Sequence, residues 1–247
     1  MGNQKGAVME HRLEMEIDIR FSNRWRSGSG EGNILVDRLI QLDARGLPFL
    51  PASTLKGVIR ESCEKLSRTL DFPLPSNPHS VDLTADGVFE PLSETQSPVD
   101  RLFGNKFEAG GLIFRDARPA DSTKPRYFFQ TRTRMNRKLR TVRDQHLFAS
   151  QYSMPVALKS KLTGFHNDLT LIEDTDPPFE YALLIAAIQM IDRIGGDKST
   201  GAGYMQPGIR IDALQYNGAP MDIADYTSET LALYLDADYY LERRGVT

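Results

Sequence analysis

The 247-residue sequence contains a single cysteine, Cys63. A lone thiol excludes an internal disulfide and a cysteine-built zinc site. The chain has no run of 18 apolar residues, which excludes a membrane-spanning helix. The opening Met1-Gly2-Asn3-Gln4-Lys5-Gly6 lacks the apolar core of a signal peptide, so a cytoplasmic protein with no membrane partner is expected. An excess of charge of one sign is missing as well: 30 basic residues stand against 33 acidic ones, a net charge of −3 that taken alone speaks against a polyanion partner. No internal repeat is visible. What remains is a globular composition, 40% hydrophobic and 26% charged, long enough for one large domain or two small ones.

The near-neutral total hides an uneven distribution. Residues 124–143 read KPRYFFQTRTRMNRKLRTVR, with eight basic side chains and no acidic one, which leaves 22 basic against 33 acidic residues elsewhere. A +8 segment on a −11 body suggests a polyanion partner, although a solvated surface hairpin accounts for the charge equally well. Arginine outnumbers lysine six to two there, and the planar guanidinium matches phosphate oxygens bidentately. Tyr127, Phe128 and Phe129 stand alongside, able to stack on bases or to anchor the segment in the core.

The clean alternation of residues 12–21 predicts a half-buried strand, followed by a Ser/Gly-rich loop over 27–33 and an extended segment over 35–42. Pro48 and Pro51 forbid a helix until Ser53 or Thr54 caps one whose apolar stripe is Leu55, Val58, Ile59, Cys63, Leu66 and Leu70. On that stripe Cys63 reads as a buried, inert thiol. Five prolines make residues 71–100 a long loop or insertion. Residues 110–118 read as a central strand, 162–171 as another, 179–194 as an apolar helix stopped by Gly195-Gly196, and 205–214 as the last strand. The element order predicts an α+β fold, a ferredoxin-like sandwich with insertions.

Two stretches carry chemistry. Residues 47–60, LPFLPASTLKGVIR, place Ser53 and Thr54 at a helix N-terminus, where free N–H groups and the dipole favour an anion. Lys56 and Arg60, four apart, share a face. Gly57 costs about 1 kcal/mol inside a helix, which a close approach by a partner would justify. Residues 194–203, IGGDKSTGAG, superficially suggest a Walker A loop. Asp197 stands where that loop needs glycine, and the stretch follows a predicted helix instead of leading into one. Its backbone can still form an anion nest with Lys198 alongside.

LPFLPASTLKGVIR, LFG…GGLIFRDA, the Met135-Asn136-Arg137 triplet and IGGDKSTGAGY, in that order, resemble the RAMP superfamily, specifically the backbone subunit of type III CRISPR effector complexes. The resemblance runs from the first strand to about Leu214. It implies one RAMP domain over residues 1–247, an RNA-recognition-motif-like core with a loop insertion at about 71–100 and a β-hairpin thumb in the basic region at about 124–148. It also implies copies of the chain or related subunits stacked in a helical filament along crRNA, with target RNA and the large and small effector subunits as further partners. Carried over residue by residue, the RNA-binding set is Arg24, Arg26, Ser53, Thr54, Lys56, Arg60, Arg132, Arg134, Asn136, Arg137, Arg140, Lys198, Ser199 and Gly201.

Members that cleave target RNA carry an aspartate in a loop before the proline motif, and by spacing the match is Asp37. The chemistry implied is Mg²⁺ held by this carboxylate with RNA phosphates, for in-line attack by a 2′-OH; Asp37 could instead orient that hydroxyl or act as base. An exposed loop acid paired with Arg38 is the plainer alternative, and Asp43 is a rival for the role. The chain departs from many relatives in lacking zinc-binding Cys and His in the insertion, where only His79 occurs, and in having Arg24-Trp25-Arg26-Ser27-Gly28 in place of His-Gly-Gly. A purely structural RNA-binding subunit is therefore the first alternative. A metal-independent guide-processing ribonuclease is a weaker one, because His11, His79, His146 and His166 sit in no matching motif.

Overall fold

The computed structural model describes residues 10–76, 95–120, 124, 126–136, 138–171, 177–223 and 235–245, with backbone alone for 134–136 and 142–146. In chain order the elements are β1 (His11–Phe21), α1 (Ala52–Thr69), α2 (Pro98–Phe103), β2 (Leu112–Phe114), β3 (Arg118–Pro119), β4 (Tyr127–Asn136) and β5 (Thr141–Ser153). Then come β6 (Ala157–His166), α3 (Phe179–Gln189), β7 (Met205–Tyr216), β8 (Ala219–Pro220) and α4 (Ala237–Arg243).

The period-2 pattern of β1 buries Leu13, Met15, Ile17 and Ile19 on one face, and this strand forms the middle of an antiparallel sheet ordered β2-β6-β1-β7-β8, with β3 also on β6. Counting β1, β2, β6 and β7 as the core strands, the order and the intervening α1 and α3 are those of the ferredoxin-like fold. Helix α1 lays Leu55, Ile59 and Cys63 against the apolar face. Helix α3 is buried on all sides from Phe179 to Ile188, because α1, α2 and the sheet enclose it and Tyr239 and Tyr240 of α4 pack against Phe179. Cys63 is wholly buried, and burial raises its thiol pKa, as the stripe required.

Inserted between β2/β3 and β6, strands β4 and β5 pair with each other as a two-stranded hairpin and, among the described residues, with no other named strand; isolated bridges tie β5 to Trp25 and Arg38. This hairpin is the basic segment, extended at its root by Tyr127 to Phe129 opposite Gln151 to Ser153. Alternation puts Phe128, Gln130 and Arg132 on one face, with Phe148, Ser150 and Tyr152 as their cross-strand partners.

Several boundaries differ from the sequence-based expectation. The stretch 110–118 gives only the three-residue strand β2 and the bridge-length β3, and β2 lies at the sheet edge, not its centre. The strand expected over 162–171 begins earlier, at Ala157, and ends at His166. Helix α3 ends at Gln189, before Gly195-Gly196, and those glycines instead let the chain turn tightly against Arg26. Ser53 and Thr54 do not cap α1: the cap is Pro51, and the Ala52 N–H donates to Asp116 Oδ1 at 2.9 Å. Pro98 opens α2 within the predicted 71–100 loop; residues 77–94 of that loop, with His79, lie outside the described residues.

Candidate nucleic-acid interface

Beyond Phe21 the chain crosses the root of the hairpin, anchored by Trp25. Its indole stacks on Phe21 at 4.4 Å between centroids and donates to the Met154 carbonyl, while its backbone exchanges two hydrogen bonds with Ser153. Burying Trp25 sends its neighbours Arg24 and Arg26 to the other side, toward the glycine-rich loop. That loop lies directly on them: the Gly196 N–H donates to the Arg26 carbonyl and the Gly203 N–H to the Arg24 carbonyl, both at 2.9 Å. A Cβ on Gly195 would fall on the Arg26 carbonyl, and one on Gly203 on that of Ile194, so close approach fixes both glycines.

At the centre of the loop Asp197 adopts a left-handed backbone (φ 62°), which turns its carboxylate inward. Asp197 Oδ2 accepts from the Tyr152 hydroxyl at 2.6 Å and from Arg26 Nη1 at 3.3 Å. Its Oδ1 stands 3.7 Å from Arg38 Nη1 and 3.8 Å from Arg132 Nη1. One carboxylate thus serves three guanidiniums from three segments. Burial alone would raise its pKa, but the Tyr152 hydrogen bond and the Arg26 and Arg132 charges outweigh that and hold it below the ordinary carboxylate value. The same surroundings push the Tyr152 hydroxyl up, through burial first and Asp197 second.

The Tyr152 ring is overlaid by guanidiniums from Arg24 and Arg132, at 5.5 and 5.6 Å from its centroid, and packs on Phe128. Arg24 and Arg132 also reach Thr200, at its carbonyl and its hydroxyl. Lys198 and Ser199 project into solvent from the single 3₁₀ turn Lys198–Thr200, and the Gly201 carbonyl accepts from Asn23.

Asp37 and Arg38 join the hairpin along the edge of β5, where the Asp37 N–H donates to the Ala149 carbonyl, Ala149 returns a bond to Asp37 Oδ2, and the Gln151 N–H donates to the Arg38 carbonyl. The Arg38 guanidinium lies over Phe148 at 5.4 Å and is half exposed. Arg26, Glu31, Asp37 and Arg38 line one open cleft of about 280 Å³. The rival Asp43 is spent on its own turn, accepting from the Leu47 and Arg45 N–H groups and from the Arg45 guanidinium, with its side chain 3% exposed. The Leu47 bond is the largest influence holding its carboxyl below the ordinary value.

On α1, Ser53, Thr54 and Lys56 make no side-chain hydrogen bond among the described residues. Farther along, Glu61 and Lys65 of the helix share a groove with Lys198 of the glycine loop. Arg60 is committed to the fold: it bonds Glu64 and the Gly104 carbonyl, faces Asp100, and lies over the Phe103 ring. Arg140 forms the exposed hairpin turn with a left-handed backbone. The backbone of Arg134 and Asn136 belongs to β4, while their side chains and all of Arg137 lie outside the described residues.

The arginine cluster therefore joins Arg24, Arg26 and Arg132 to the glycine loop as one surface, and adds three residues that sequence reasoning missed. Tyr152 was readable from its alternation with Phe148 and Ser150, and Asp197 as an aspartate in a glycine-rich turn, one of the few side chains besides glycine's hydrogen that the left-handed region accepts. Arg38 had no signal beyond its neighbour Asp37. His11 and His166 are buried together at the opposite end of β1, hydrogen-bonded to Tyr216 and Tyr181, so neither belongs to this surface. Among the described residues no group of three His, Cys, Asp or Glu side chains is arranged to hold a metal ion, and no helix is long and apolar enough to cross a membrane.

A family model described as the RAMP superfamily matches residues 18–206. Among solved structures the chain is similar to one from a cryo-electron-microscopy structure described as the apo state of type III-B Cmr-beta. The two share 14% identity with a TM-score of 0.52, over 81% of this chain and 97% of that one. No curated protein sequence matches.

Proposed function

Since the chain belongs to the RAMP superfamily, we propose that it is a crRNA-binding backbone subunit of a type III CRISPR effector complex, working in the cytoplasm beside copies of itself or related subunits and the large and small effector subunits. The observation that carries this is the convergence of four guanidiniums, from Arg24, Arg26, Arg38 and Arg132, on one glycine-rich loop at the root of a basic hairpin. Such a surface neutralises phosphates without reading bases, so it suits a guide whose sequence varies. The test is purification of the full chain with its bound RNA: a population of RNAs sharing a constant 5′ end supports the reading. Steep loss of binding with added salt and indifference to spacer sequence should accompany it; dependence on spacer sequence overturns it.

The same reading extends to cleavage of target RNA at Asp37. One carboxylate oxygen is held by the Ala149 N–H, and Asp37 lines the open cleft with Arg26, Glu31 and Arg38. That suits Mg²⁺ only in company with RNA, since Asp37 would supply one oxygen and phosphates and water the remainder, a pattern common for this ion. When bound, the ion supplies positive charge to the phosphate oxygens. The chain's own contribution is to fix Asp37 beside the thumb strand, where its carboxylate can hold that ion or take the proton of the attacking 2′-OH. Attack by the 2′-oxygen on phosphorus would break the P–O5′ bond, with solvent water protonating the departing O5′, and leave a 2′,3′-cyclic phosphate and a 5′-hydroxyl. The purely structural subunit is the second reading, favoured by the two guanidiniums lining the Asp37 cleft, which suit phosphate holding without chemistry.

A further inference from the structure

The one acidic side chain of the glycine-rich loop sits where an RNA-binding surface would least be expected to carry a negative charge. Asp197 lies among Arg26, Arg38 and Arg132, and a carboxylate there opposes a polyanion by Coulomb repulsion. Its geometry argues for the opposite effect. The three guanidiniums come from the segment after β1, the Asp37 loop and β4, and repel one another unless an anion stands between them. Asp197 supplies that anion from a backbone already held in place by the Gly196 and Gly203 amides, and the Tyr152 hydroxyl fixes the carboxylate at 2.6 Å through Oδ2, the oxygen that Arg26 also reaches. One carboxylate cannot saturate three five-donor groups. Arg38 and Arg132 retain 49% and 21% side-chain exposure, so donors remain for a second anion.

We propose that Asp197 is a positioning residue: with Tyr152 it gathers Arg26, Arg38 and Arg132 into a preformed cage in which one RNA phosphate seats. The inference rests on the RNA-binding reading above. The ordering cost of three long side chains is met on folding instead of on binding, so removing the carboxylate weakens the site although it removes a like charge.

The test compares the full-length chain with Asp197→Asn on a guide-length single-stranded RNA across a salt series. Asn tolerates the left-handed backbone, so the variant changes charge without straining the loop. The expected result is a loss of affinity of about tenfold or more. It should come with a shallower dependence of log K on log salt, by about 0.7 for each phosphate that is no longer neutralised. Tyr152→Phe, which keeps the ring for Arg24 and Arg132 but deletes the hydroxyl, should show a smaller loss in the same direction. A merely structural role would lower the melting temperature and leave the slope unchanged, and that result overturns the proposal. Tighter binding by Asp197→Asn overturns it too, with RNA binding intact. Should Asp197→Asn fail to fold, unchanged affinity and slope in Tyr152→Phe decide against it. A wild-type chain that binds no RNA removes the underlying reading itself.

Discussion

Asp37 and Ala149 hold one another in both directions: the Asp37 N–H donates to the Ala149 carbonyl at 3.1 Å and the Ala149 N–H to Asp37 Oδ2 at 2.7 Å. The candidate catalytic loop is therefore tied to the strand that leads to the hairpin tip.

Asp37→Asn separates chemistry from this tether. Its amide oxygen can still accept from Ala149, so guide binding and assembly should stay within about twofold, while target cleavage falls by about 10²-fold or more. Gel analysis of labelled target RNA cut by the assembled complex measures this. Cleavage at the wild-type rate would remove Asp37 from the reaction and leave the structural-subunit reading.

Lys56 and Arg60 form a single basic face in the sequence, and the fold gives them different work. Arg60 bonds Glu64 and the Gly104 carbonyl and faces the buried Asp100, whereas Lys56 makes no such bond among the described residues. Arg60→Ala should destabilise the chain by about 1–3 kcal/mol, because it strands partly buried acceptors. Lys56→Ala should leave stability unchanged and weaken RNA binding by a few-fold. Urea unfolding and filter binding on both variants check the division; equal effects of both on RNA binding with none on stability would refute it.

Gly57 offers a sharper contrast. It is exposed on α1, and a Cβ added there meets nothing within 4 Å, so the fold does not require glycine. Gly57→Ala should stabilise the helix by about 1 kcal/mol and raise Tm by about 2–4 °C. If RNA passes closely over the helix, the same methyl should weaken binding. A variant that is more stable and binds RNA equally well would show that nothing approaches this face.

Periodic features were legible in the sequence. The alternation of β1 and the apolar stripe of α1 each concern one element and its burial, so neighbouring residues were sufficient to predict them. The basic segment was visible by counting charge, whereas its pairing as a hairpin was expected only through the family resemblance, since charge says nothing of strand partners. The helix cap was misread because Ser53 and Thr54 are local candidates, whereas the actual partner, Asp116, lies 64 residues away. The Asp197 cluster was hidden for the same reason. Its members come from the segment after β1, the Asp37 loop, both hairpin strands and the loop before β7, and only the tertiary fold brings them within 4 Å.

The buried pair at the far end of β1 makes acid stability depend on histidine. His166 Nδ1 lies 2.8 Å from the Tyr181 hydroxyl, and burial, aided by the charges of His11 and Arg101, lowers its pKa to about 4. Burial lowers that of His11 as well. A histidine depressed in the folded state stabilises the fold fully above its unfolded value of about 6.5, and that stabilisation is lost as pH falls toward the folded value. For His166 the loss amounts to about 3 kcal/mol by pH 4. Asp43 and Asp197, also depressed, lose their contributions only below the ordinary carboxylate range. Burial raises the Asp100 carboxyl instead, so its protonation favours the fold as pH falls and partly offsets the histidine loss between about 6.5 and 4.5. Urea unfolding at stepped pH should show stability declining across that interval. His166→Gln, which keeps hydrogen-bonding capacity without titrating, should flatten the decline, and an unchanged slope in that variant would show that His166 does not drive it.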